Sequence, residues 1–220
     1  MKLITIPAGT AIGYRPNQPI IKAEERIELP SKGLFLLVGQ NGMGKTTFMK
    51  HLVGCLPQSK GPMDRAVYLP ERFDLPEYLP PRKVAKSCLN HEARRQFLGD
   101  ANVLKVEVGK EFYKLSKGNK QKTVLAFAIA RATDNQSKVL LLDEPLSGLD
   151  YAVQKDAWIL FNRERQRRLV ILSMHPDHIE TPPDALLVIK NGRISKVEGN
   201  FESWGDIERV LTGESLTVSV

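Results

Sequence analysis

Residues 39–47 read GQNGMGKTT, and three glycines around a lone lysine imply that something must approach this backbone too closely for side chains. Upstream, GLFLLV (33–38) is an apolar run of strand length. Downstream, TTFMKHLVG (46–54) has helical spacing, with Phe48, Leu52 and Val53 on one side and Gly54 as its stop. Strand, glycine turn and helix in that order form the G-x-x-x-x-G-K-[ST] phosphate loop. Its N–H groups converge on a helix start, where the aligned peptide dipoles favour an anion. Gly39, Asn41, Gly42, Gly44 and Thr47 are the candidate lining of the turn. Lys45 would reach the β- and γ-phosphates of ATP, and the Thr46 hydroxyl would bind Mg²⁺. The plainer alternative is a glycine turn that joins strand to helix and leaves its lysine in solvent.

A chain of 220 residues can bury a sizeable core as one large domain. At 42% apolar and 26% charged, its composition is that of an ordinary globular protein. The longest apolar runs, LFLLV and VLLL, fall far short of the roughly 18 residues that cross a bilayer. The start, MKLITIPAGTAIGY, has no apolar stretch of secretory-signal length. Cys55 and Cys88 lack metal-ligand spacing and point to a reducing cytosol. The net charge of +7 admits nucleic acid or an anionic membrane face as a partner, but the basic residues are spread along the chain. Their densest cluster, RERQRR (163–168), is expected at a helix C-terminus, where cations offset the dipole.

Short β-like runs recur at 3–6, 34–38, 66–69, 139–142, 169–172, 186–189 and 193–197, with helical segments at 46–54, 118–132 and 151–167. Several runs are unbroken apolar stretches, as in parallel strands buried on both faces. The alternation predicts an α/β fold with a mostly parallel core sheet. One region departs from it. PERFDLPEYLPP (70–81) is followed by helix-like sequence without a clear strand, which reads as a helical subdomain inserted over about residues 72–134 of a single domain spanning 1–220. The proline-rich loop is equally readable as a plain connector.

KVLLLDEPLSGLD (138–150) is an apolar strand that delivers a carboxylate to the sheet edge where ligands of open α/β sheets bind. Asp143 would hold Mg²⁺, and Glu144, one residue farther out, would polarise an attacking water. LSKGNKQKTVLAFAIARA (115–132) places Ser116 and Gly118 at another helix start, a second anion site or simply a capped helix.

Together these stretches resemble the nucleotide-binding subunit of an ATP-binding cassette (ABC) transporter. GQNGMGKTT matches the Walker A motif, LSKGNKQ the signature, VLLLDE the Walker B and SGLD (147–150) the D-loop, while LSMHPDH (172–178) puts His175 at the switch-histidine position. The resemblance covers about residues 2–200, with five motifs in order. It implies a P-loop NTPase core with a small antiparallel β part. It also implies a shared site, in which ATP on the Walker A of one copy meets Ser116 and Gly118 of a second, as a homodimer or a pseudo-dimer with another ABC ATPase subunit. Tyr14, in AIGYRP, matches the aromatic residue that stacks on adenine; a tyrosine packed on the core is the alternative. A separate transmembrane subunit is the implied partner, with the chain cytoplasmic and peripheral on the inner membrane face and no nucleic acid bound.

Two positions depart from the pattern. The Q-loop glutamine is replaced by Glu71 in AVYLPE, and the signature reads LSKGN where LSGGQ is commonest. Glu71 can still accept Mg²⁺ or water but cannot donate. Both forms lean the reading toward export. The short stretch from Lys45 to Glu71 implies a trimmed antiparallel part, and the few residues after the last expected strand leave room for a closing helix (202–213) but no regulatory domain. Two other readings compete. One is a soluble ABC ATPase acting on nucleic acid or ribosomes, and the other a P-loop kinase outside the family.

Overall fold

Four short strands open the chain: β1 (Ile4–Ile6), β2 (Ala11–Ile12), β3 (Ile21–Ala23) and β4 (Ile27–Leu29). The central strand β5 (Gly33–Val38) runs into α1 (Lys45–Leu52), and β6 (Ala66–Leu69) leads to α2 (Pro81–Cys88), α3 (His91–Val103) and α4 (Lys117–Asp134). Then follow β7 (Val139–Asp143), α5 (Tyr151–Arg165), β8 (Leu169–Ser173), β9 (Ala185–Lys190), β10 (Arg193–Val197) and α6 (Trp204–Thr212). The structure is a computed structural model and describes residues 4–15, 17–57, 61–63, 65–174 and 179–213.

Eight strands form one sheet in the order β2-β3-β10-β9-β5-β8-β7-β6, and β1 and β4 pair separately. From β9 to β6 every pairing is parallel. The antiparallel character lies at the other end, where β10 runs against β9 and β2 against β3. The fold is therefore α/β, with a mostly parallel core and a small antiparallel part. Each expected strand is present. β2, β3 and β4 escape a sequence reading because two or three residues carry too little periodicity.

Alternation along the strands builds the three layers. Leu34, Leu36 and Val38 pack with Leu125, Ile129, Trp158 and Phe161 of the helices on one face. Phe35 and Leu37 pack on the other face with Phe48, Met49 and Leu52 of α1. Each such side chain, fully removed from water, contributes roughly 1.5–3 kcal/mol. The helices between β6 and β7 start with local signals. Pro81 opens α2, where its missing N–H is not needed, and the Asn90 side chain accepts from Ala93 N at 2.9 Å to cap α3. The closing helix α6 starts on a reciprocal Ser203–Asp206 cap and ends at Gly213, φ 90°.

The basic cluster differs from its expected role. Arg163 and Arg165 do lie in the last turn of α5, but Arg163 grips the buried Asp100 of α3 with two hydrogen bonds of 2.5 and 2.9 Å. Arg168, 5% exposed, lies 3.0 Å from the fully buried Glu164. Burial pushes the Asp100 carboxyl up, and Arg163 pulls against it. These arginines neutralise interior carboxylates, and Arg163 and Glu164 tie α5 to Asp100 and Gln96 of α3.

Candidate functional site

β5 is flanked by β8 and β9 in mid-sheet, so the loop that leaves it emerges at the centre of the strands' C-terminal edge. Close approach explains its glycines. A Cβ on Gly39 would lie 2.6 Å from the Ile189 carbonyl oxygen, and one on Gly44, left-handed at φ 101°, would meet Ile21 at 2.8 Å. No side chain caps α1 and its first turn holds no acidic residue. The first N–H groups of a helix have no partner within it, so this start presents donors and dipole suited to a phosphate. Lys45 folds over the loop and donates to Gly39 O at 2.9 Å.

The Walker B strand meets that loop directly. Thr46 Oγ1 donates to Asp143 Oδ2 at 2.7 Å. Tyr68 OH donates to the same oxygen at 3.2 Å, and Ser173 Oγ donates to Oδ1. Burial and the neighbouring Asp143 carboxylate hold the Tyr68 phenol well above its ordinary value, so it stays a donor. Glu144 takes a left-handed backbone at φ 49°, which costs a non-glycine residue of order 1–3 kcal/mol. Its N–H is held by the Ser173 carbonyl at 3.1 Å and hydroxyl at 2.9 Å. The strain turns the chain sharply just where the carboxylate leaves the strand.

Asn41, Gly42, Gly44, Lys45, Thr46 and Thr47 share one cleft of about 390 Å³ with Glu71 and Glu144. Among the described residues no group of three His, Cys, Asp or Glu could hold a metal by itself. Thr46, Asp143 and a substrate's phosphate oxygens do fit Mg²⁺, which typically takes one or two carboxylates and completes its shell with phosphate and water.

Other expected residues stand apart from this cleft. Ser116 caps α4 by accepting from Asn119 N at 3.2 Å, and Gly118 of the same turn faces Leu149 of the D-loop stretch. Tyr14 is half-exposed beside α1, where Lys50 Nζ donates to its hydroxyl at 3.3 Å and lies 5.7 Å from its ring centre. His175 lies outside the described residues.

The sequence model for ABC transporters matches residues 26–147, more than half of the chain and both halves of the cleft. The chain belongs to the ABC transporter family. One relative, the zinc import ATP-binding protein ZnuC of Halorhodospira halophila, is 31% identical over 80% of this chain and 70% of its own length. ZnuC of Psychrobacter arcticus is 28% identical over 67% of this chain, and the match spans 63% of that protein. The chain thus spans about two thirds of the length of these curated relatives. A solved structure of an ATP binding subunit of an ABC transporter shares the fold, with TM-score 0.69 at 22% identity over 96% of this chain and 93% of the other.

Tyr68 and Ser173 were not singled out by motif. Their only sequence signal is a polar group at the end of an apolar strand, and which strand neighbours which cannot be read from chain order.

Proposed function

We propose that this ABC family member is the ATP-binding and ATP-hydrolysing subunit of a transporter, working on a separate membrane-embedded subunit. The observation that carries the reading is the cleft shared by the phosphate loop, Glu71 and Glu144, with Asp143 bonded to Thr46 behind it. In this reading the loop N–H groups and Lys45 hold the phosphates, and Tyr14 lies against adenine. Thr46 and Asp143 hold Mg²⁺, which when bound offsets charge on the phosphates. Glu144 accepts the proton of a water that attacks the γ-phosphate, His175 steadies that phosphate, and Glu71 senses the metal site. Ser116 and Gly118, remote from their own cleft, reach the phosphates of a second copy or a similar subunit.

Among the described residues no helix is long and apolar enough to cross a membrane, and the reading gives the translocation path to the partner. The loop from Pro70 to Pro81 and the helices after it would form the docking face, where Tyr78, 76% exposed, stacks obliquely on Tyr113 at 5.5 Å. The chain would then sit on the cytoplasmic membrane face. The two zinc import relatives support a transport role over one on nucleic acid, and they weigh toward import where the YLPE and LSKG forms leaned toward export.

Size-exclusion with ATP and Mg²⁺ tests the shared site. Glu144→Gln should accumulate a dimer, and Ser116→Arg in the same background should abolish it. A dimer that forms regardless of residue 116 would overturn the shared-site reading.

A further inference from the structure

Three hydroxyls converge on the Asp143 carboxylate, which is 2% exposed. Thr46 is the one that a bound metal would claim as a ligand. The other two come from the strands on either side of β7, with Ser173 ending β8 and Tyr68 on β6. An ionised carboxylate has about four acceptor positions, so two can stay engaged while the rest face a cation.

We propose that Tyr68 and Ser173 are positioning residues that clamp the Asp143 carboxylate in the orientation a divalent cation requires. Released by Thr46, the carboxylate would otherwise be free to rotate about its terminal torsion, which is broad and roughly two-fold. Donors on both oxygens remove that freedom before the metal arrives. Tyr68 is the more informative of the pair. Its ring packs on the apolar layer beneath α1, a task phenylalanine could perform, so only the hydroxyl needs Asp143. It also sits on the edge strand of the sheet, paired to β7 alone, three residues before Glu71. The bond therefore ties the metal carboxylate to the root of the loop that follows. Ser173 has a second duty, since its hydroxyl also accepts from Glu144 N, and this makes its removal harder to interpret.

The inference rests on the nucleotide-site reading, and the test separates the two. Mn²⁺ is titrated by electron paramagnetic resonance into the ATP complex of the full chain, in Glu144→Gln and in Glu144→Gln with Tyr68→Phe. ATP affinity in EDTA is measured for both by calorimetry. Loss of an outer hydrogen bond of this kind typically costs 10–100-fold in metal affinity. Tyr68→Phe should therefore weaken Mn²⁺ by about tenfold or more, with metal-free ATP affinity and thermal midpoint unchanged. Unchanged Mn²⁺ affinity in the Phe variant would overturn the positioning role. So would an equal loss of ATP affinity in EDTA, which would mark Tyr68 as structural. If the parent binds ATP neither with nor without metal, the nucleotide-site reading falls first and takes this inference with it.

Discussion

The two ends of the sheet treat charge in opposite ways. At the C-terminal edge, Lys45 bonds only a neutral carbonyl among the described residues, and α1 begins with no side-chain cap and no acid in its first turn. Around the N-terminal edge, Arg168 precedes β8 and donates to the carbonyl of Ser137 before β7 at 2.9 Å, Ser137 donates in turn to Arg65 O before β6, and Glu164 and Asp100 neutralise Arg163 and Arg168. Charges paired within the chain hold helices together. Lys45 and the start of α1 make no ion pair among the described residues, although Glu71 and Glu144 share their cleft, and such donors suit an anion from outside.

That contrast predicts mutations that separate function from stability. Glu144→Gln should have the largest effect, lowering ATP hydrolysis by about 10²–10⁴-fold, the scale of a general base, without changing the thermal midpoint; hydrolysis at the native rate would remove Glu144 from the chemistry. Lys45→Ala comes next. Losing charge-assisted hydrogen bonds worth about 1.5–3 kcal/mol should weaken ATP roughly 10–100-fold in calorimetry, again with the fold intact.

At the opposite end the pattern should invert. Glu164→Gln leaves Arg168 without its buried counter-ion, and breaking such a pair costs about 3 kcal/mol. Denaturant unfolding should show that loss while ATP affinity stays native. If Glu164→Gln weakened ATP as much as Lys45→Ala, the two ends would not be separable.

Smaller effects refine the boundaries. Tyr14→Ala should cost about 0.5–1.5 kcal/mol of ATP binding, the scale of an aromatic contact, whereas Tyr14→Phe and Tyr14→Trp should not; equal losses in Phe and Ala would point to the hydroxyl that Lys50 holds. The smallest effect lies outside both ends, at α6. Hydrogen bonds from the Ser203 side chain, then its backbone, depress the Asp206 carboxyl below its usual 3.8. A depressed folded-state value contributes stability that is present above the ordinary one and lost as pH falls through the folded one. The protection factors of the α6 amides, corrected for intrinsic exchange, should therefore fall below about pH 4, and Asp206→Asn should flatten that dependence.

Much of this was legible because it is local. A glycine turn between strand and helix, an acidic pair ending an apolar strand and a serine before a helix are each complete within about ten residues. They singled out the glycine turn, Asp143, Glu144 and Ser116 as candidates without any knowledge of packing. The arginines of RERQRR were legible only as a helix end. The inward turn of Arg163 depends on Asp100, 63 residues away along the chain.

By itself, then, the sequence determined the longer strands and helices of the core, though not the short strands β2, β3 and β4, because backbone sterics, dipoles and apolar periodicity act over short spans but need several residues to show. Only the tertiary structure decided which ends meet. It brought Tyr68 to Asp143 across 75 residues and held Glu144 in a left-handed turn through Ser173. Strand order is set by how the layers bury their apolar faces against one another, a property of the whole chain rather than of any segment.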